Sequence, residues 1–239
     1  MSMQSLTCTP SIKSVISRTG GRSTFYCSSK SLLYQYVDEL RRKWGINYSS
    51  YPLNTIFLCE SSNKIVVAKH LFDNKGLCGI AMLGDKTDTV ILNANRSERE
   101  QNFDCGHELM HLSKHRNIGE DCFQCFAIPQ PEQNELLEWE ANEGSAELLV
   151  PYRLILPLVK KAYPSLTNRN AYKQFQVDLS WKFGVSMPVI YYRFESLKYE
   201  IAQYNAGVSL KDIEILSKSK LLQKGMHIRS LNDMFNIAS

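Results

Sequence analysis

Residues 106–115 read GHELMHLSKH, and this segment restricts the fold more than any other. The chain has five histidines, and three of them fall within these ten residues. His107 and His111 are four apart, which on an α-helix puts them one turn apart on one face. Two imidazoles so placed can reach one metal ion, for which a Zn–N distance is about 2.0–2.1 Å. Glu108 lies about 100° round the same helix. From there it can reach a water beside such an ion without being a ligand. The pattern therefore calls for a helix over this segment, which starts where Ser97 and Glu100 form a capping box.

A catalytic metal of this kind needs a third protein ligand and one open position. Residues 135–151 read ELLEWEANEGSAELLVP, with carboxylates at Glu135, Glu138, Glu140, Glu143 and Glu147. On a helix, Leu137, Ala141, Gly144 and Leu148 share one side, and Glu138 falls within that arc. A carboxylate on an apolar face is costly unless paired or bound to a cation, so Glu138 is the candidate third ligand. Asn142 follows it by one turn on the same face. Glu140, Glu143 and Glu147 fall opposite and read as a solvated acidic face. His115 reads as a surface or capping histidine at the helix C-terminus, where positive charge is favoured. His70 and His227 carry no assignment.

The rest of the chain reads as one α+β domain with a helical C-terminal part. Residues 1–28 form a Ser/Thr-rich extension, 29–203 the domain, and 204–239 a helical tail. Leu33, Val37, Leu40 and Trp44 recur at helical spacing after Ser29 and Ser31, up to Gly45. Segments 54–58, 64–69, 78–83 and 89–94 read as strands. Their short connections favour a small, mostly antiparallel sheet packed on the HExxH helix and on the glutamate-bearing helix over 132–150.

A formal net charge of +4, with Lys and Arg scattered, gives no nucleic-acid footprint. No apolar stretch reads as a membrane span or secretory signal, so the expectation is a cytoplasmic protein. Seven cysteines at irregular spacing are no disulfide framework. The pair Cys122 and Cys125 reads as ordinary thiols, since no further ligands lie nearby.

The linked motifs HELMH at 107–111, EWEAN at 138–142 and AELLVP at 146–151 resemble the ImmA/IrrE family of zinc metallopeptidases. The resemblance spans roughly residues 30–200. It implies Zn2+ as cofactor, His107, His111 and Glu138 as its ligands, and Glu108 as catalytic base. It further implies peptide hydrolysis directed at a partner protein, a helix-turn-helix transcriptional repressor, within gene regulation or mobile elements. Strand 89–94 would be the edge that pairs with substrate. Tyr152, Tyr191 and Tyr192 are candidate second donors to the oxyanion.

A competing class comes from residues 177–194, VDLSWKFGVSMPVIYYRF, which have a helix-turn-helix outline within 170–203. That outline allows a DNA-binding or metal-sensing regulator. The second helix begins MPVIYY, apolar where a base reader needs Arg, Asn, Gln or Lys, so direct DNA binding is not expected.

Overall fold

A computed structural model describes residues 29–74 and 76–235. The Ser/Thr-rich extension read at 1–28 lies outside the described residues. The chain opens with α1 (Lys30–Lys43) and the short α2 (Thr55–Ser61). Three strands follow: β1 (Ile65–His70), β2 (Leu77–Met82) and β3 (Asp88–Asn93). Then come α3 (Glu98–Lys114), β4 (Cys122–Phe126) and α4 (Glu135–Leu149). The C-terminal part is helical: α5 (Tyr152–Ala162), α6 (Arg169–Phe183), α7 (Met187–Ser196), α8 (Lys198–Asn205), α9 (Lys218–Gln223) and α10 (Leu231–Phe235). None of the described helices is long and apolar enough to cross a membrane.

Local chemistry explains most boundaries. Ser29 caps α1 and Gly45, at φ 65°, follows its end. The capping box of Ser97 and Glu100 starts α3 as expected. Asn134 caps α4, and Pro151 follows that helix. One expectation fails: residues 54–58 are not a strand but lie at the start of α2. The Asn54 side chain accepts from the Phe57 N–H, and Thr55 bonds to the Asn102 side chain through its own N–H at 2.8 Å. A satisfied cap and docking against α3 outweigh the β-branched preference.

The sheet order is β1-β3-β2-β4. The β2–β3 and β2–β4 pairs are antiparallel, but β1 pairs with β3 in parallel. The short-connection argument holds for consecutive strands; β1 and β3 are separated by the whole of β2. Strand β3, residues 88–93, is therefore flanked on both sides and is not an edge. This corrects the expectation that residues 89–94 pair with substrate. Among the described residues, the edges of the sheet are β1 and β4.

Helix α3 is enclosed between the sheet and α4. Its residues from Asp104 to Leu112 are all buried. Helix α4 approaches closely because Gly144 faces Met110: a Cβ there would lie 2.6 Å from the Met110 Cε. On its other side α4 meets α1 and α7. The carboxylates read as a solvated face are consequently inside the protein. Glu140, Glu143 and Glu147 are 1%, 9% and 1% exposed. Arg193 of α7 bridges Glu143 at 2.9 Å and also pairs with Glu147, which Arg41 of α1 reaches at 3.2 Å. Tyr34 donates to Glu143 at 2.5 Å. Helical periodicity assumed one buried side, whereas partners remote in sequence bury α4 on both.

Candidate metal centre

The first turn of α4 points Glu138 at the middle of α3. The Nε2 atoms of His107 and His111 are 3.1 Å apart. The Glu138 carboxylate lies 3.3 Å from His107 Nε2 and 3.5 Å from His111 Nε2. Ligand atoms about 2.05 Å from one ion, at tetrahedral angles, sit about 3.3 Å from each other. These three therefore have the mutual spacing of a shared coordination sphere. Both imidazoles are fully buried, while the Glu138 side chain is 19% exposed and marks the open side.

The ring orientations suit a metal. The His107 Nδ1 meets the Asn142 Oδ1 at 3.2 Å, so that nitrogen carries the proton and Nε2 keeps its lone pair. For His111, Nδ1 meets His115 Nδ1 at 3.0 Å, and His115 Nε2 meets the Glu140 carboxylate at 2.8 Å. Lys114 closes this chain on Glu140 at 3.1 Å. A proton on His111 Nδ1, donated to His115, leaves Nε2 free for a metal. Burial, then the neighbouring His107 and His115, hold the His111 imidazole well below its usual range, so it is neutral. Such outer partners fix the tautomer and raise ligand basicity. The Phe123 ring of β4 stacks on His111 with centroids 4.5 Å apart.

Glu108 is fully buried, and neither carboxylate oxygen has a hydrogen-bond partner among the described residues. Burial, reinforced by the nearby Glu138 charge, raises its affinity for a proton well above the carboxylate norm. An orphaned acid beside three converging ligand atoms fits a site built to hold a cation and a water. Gly79 of β2 makes room for it: a Cβ there would come within 2.8 Å of the Glu108 Oε1.

The structure thus brings His107, His111, Glu138 and Glu108 together. It corrects His115, which is 2% exposed and orients His111 rather than facing solvent. Its spacing of four from His111 was the available signal. It also corrects Glu140, which supports that histidine. Nothing local in the sequence announced Gly79. Cys122 and Cys125, three apart on β4, project to opposite faces, and only Cys125 is buried.

The helix-turn-helix outline is present as α6, Gly184 at φ 64°, and α7. The one arginine of α7, Arg193, is 1% exposed and spent on Glu143 and Glu147. Of the tyrosines considered as oxyanion donors, Tyr152 is buried, while Tyr191 and Tyr192 are 38% and 69% exposed on α7.

A family model described as the IrrE N-terminal-like domain, of a peptidase family, matches residues 56–195, more than half of the chain. No curated protein matches. A solved structure described as a Mycobacterium tuberculosis transcriptional regulator is similar at 14% identity and a TM-score of 0.47, with 70% of this chain and 47% of that chain covered. The chain thus spans less than half of that regulator's length.

Proposed function

The chain belongs to the ImmA/IrrE family of metallopeptidases, and from that premise we propose that it is a zinc-dependent endopeptidase acting on a regulatory protein of the helix-turn-helix repressor type. The observation that carries this reading is the triangle of His107, His111 and Glu138 ligand atoms, with sides of 3.1, 3.3 and 3.5 Å, beside the orphaned Glu108. Two neutral nitrogens and one carboxylate are the donor set of many catalytic zinc sites. When bound, zinc supplies a Lewis acid that makes water nucleophilic near neutral pH and polarises a substrate carbonyl.

The protein's own groups do the remaining work. Glu108 accepts the proton of the attacking water and returns it to the leaving amine. Its raised proton affinity suits that role, since the acid must hold the proton between the two transfers. Asn142 and the His115–Glu140 pair keep the two imidazoles in the binding tautomer. Strand β4, with its edge opposite β2 unpaired by any strand among the described residues and with Phe123 against His111, is placed to receive an extended substrate segment by strand addition. The restriction to a repressor-type partner rests on the family alone.

Metal analysis and intact-mass measurement test the reading together. Wild type should bind about one zinc per chain, and His107→Ala, His111→Ala and Glu138→Ala should each lose most of it. Co-expressed candidate repressors should be cut at one site by wild type. Glu108→Gln should keep the zinc and lose cleavage by about 10³-fold or more, as removal of a base acting with activated water does. Undiminished cleavage by zinc-loaded Glu108→Gln would overturn the mechanism.

A further inference from the structure

The loop that leads from β4 to α4 lays one side chain on the edge where substrate would pair. Of residues 127–134, every one is exposed except Gln133, which is half-buried. Its Nε2 donates to the Gln124 carbonyl of β4 at 2.8 Å, and its Oε1 accepts from the Gln130 N–H at 2.9 Å. One end of the amide is thus held by the strand and the other by the loop itself.

The Gln124 carbonyl is an outward group of the ladder. Alternate residues of an antiparallel strand turn their backbone N–H and C=O toward the same neighbour, and those between turn theirs away. The Asp121 carbonyl accepts from Leu83 and the Ala127 N–H donates to Gly76, so residues 121, 123, 125 and 127 face the β2 side. Gln124 and Phe126 face the other side, where no described strand lies. Gln124 is also level with the metal site. Before it, Phe123 stacks on His111 with centroids 4.5 Å apart. After it, the Cys125 sulfur lies within 4.8 Å of a ring nitrogen of His107 and a carboxylate oxygen of Glu108. An extended segment crossing the site beside β4 therefore meets the Gln124 carbonyl, and Gln133 is already on it.

Resting on the strand-addition reading above, we propose that Gln133 is a specificity-determining residue: its side-chain amide stands in for a backbone N–H of the substrate, and a segment is held across the metal only if it displaces that amide and supplies an N–H of its own. The exchange swaps one N–H···O=C bond for another. A segment with proline facing Gln124 has no N–H to offer, so it loses the bond that Gln133 made and gains none. Release of Gln133 leaves the metal ligand in place. The next residue, Asn134, caps α4 by accepting from the Leu136 and Leu137 N–H groups at 3.1 and 3.3 Å, so Glu138 is held whether Gln133 is docked or not. The loop competes with substrate for one carbonyl, and its removal should tighten peptide binding by the worth of one net hydrogen bond, about 2–10-fold.

Peptide retention gives a readout other than activity. The probe is a pool of random-sequence decapeptides, and the protein is zinc-loaded Glu108→Gln, which holds peptide without cutting it. Retained peptide, at sub-saturating concentration, is quantified and sequenced by mass spectrometry. Adding Gln133→Ala should raise retention by about 2–10-fold with zinc content unchanged. Adding Gln133→Glu instead keeps the length and removes the donor, and should raise retention likewise. The retained sequences should lack proline at one position. Retention that is equal or lower with Gln133→Ala, a gain with Ala but none with Glu, or proline accepted at every position overturns this inference and leaves the peptidase reading intact. Zinc-loaded protein that retains no peptide in any form overturns strand addition and this inference together.

Discussion

The unpartnered burial of Glu108 should make the metal-free protein less stable than its Glu108→Gln variant. Glu108→Gln keeps the side-chain shape and removes the charge. In the folded protein the carboxyl holds its proton well above its ordinary value of 4.5, because burial and the Glu138 charge disfavour ionisation. A folded pKa raised above the unfolded one gives stability that is fully present below 4.5 and is lost as pH rises through the folded value. At pH 7 the loss cannot exceed the cost of keeping the acid protonated. That cost is about 2.5 pH units at 1.36 kcal/mol each, or about 3.4 kcal/mol. Metal-free Glu108→Gln should therefore exceed wild type by up to about 3.4 kcal/mol at pH 7. At about 2–4 °C per kcal/mol for a chain of this size, Tm should rise by up to roughly 14 °C. At pH 5 the gap should fall below about 1 kcal/mol, or roughly 4 °C at most. Differential scanning calorimetry of chelator-treated proteins at the two pH values measures both gaps. A Gln variant no more stable than wild type at pH 7, or equally advantaged at both pH values, would refute the reasoning.

Three further outcomes follow from particular contacts. Glu140→Ala removes the carboxylate on His115 and so loosens His111; zinc affinity should fall by about 10–100-fold in chelator competition, and an unchanged affinity would remove Glu140 from the site. Gly79→Ala brings a Cβ within 2.8 Å of the Glu108 Oε1. Zinc content should hold while turnover drops by up to about 10²-fold from the displaced base; full activity would show that the carboxylate has room to move. Arg193→Met leaves Glu143 and Glu147 without their α7 partner and should cost about 3–5 kcal/mol, read as a fall in the denaturation midpoint. A loss under about 1 kcal/mol would mean that Arg41 and Tyr34 suffice to hold those carboxylates.

What the sequence determined by itself was local. The four-residue step from His107 to His111, and the place of Glu138 within the apolar arc of its helix, follow from 3.6 residues per turn and need no knowledge of the fold. The same holds for the caps at Ser29 and Ser97. Each depends on groups a turn or less apart. What tertiary structure decided was which surfaces are inside. Glu140, Glu143 and Glu147 looked solvated because their own helix offers no cation to pair with them. Their partners come from His115, Arg41 and Arg193, the last 46 residues beyond Glu147. A lone arginine in the apolar run MPVIYYRF was the matching clue, by the argument that singled out Glu138. Likewise, strand 88–93 looks like an edge until β1 joins it on the side away from β2, and the irregular register of β2 between Leu77 and Gly79 is invisible in composition. Periodicity reports the geometry of one segment, while burial depends on which segments meet, and those contacts span distances in the chain that no local pattern encodes.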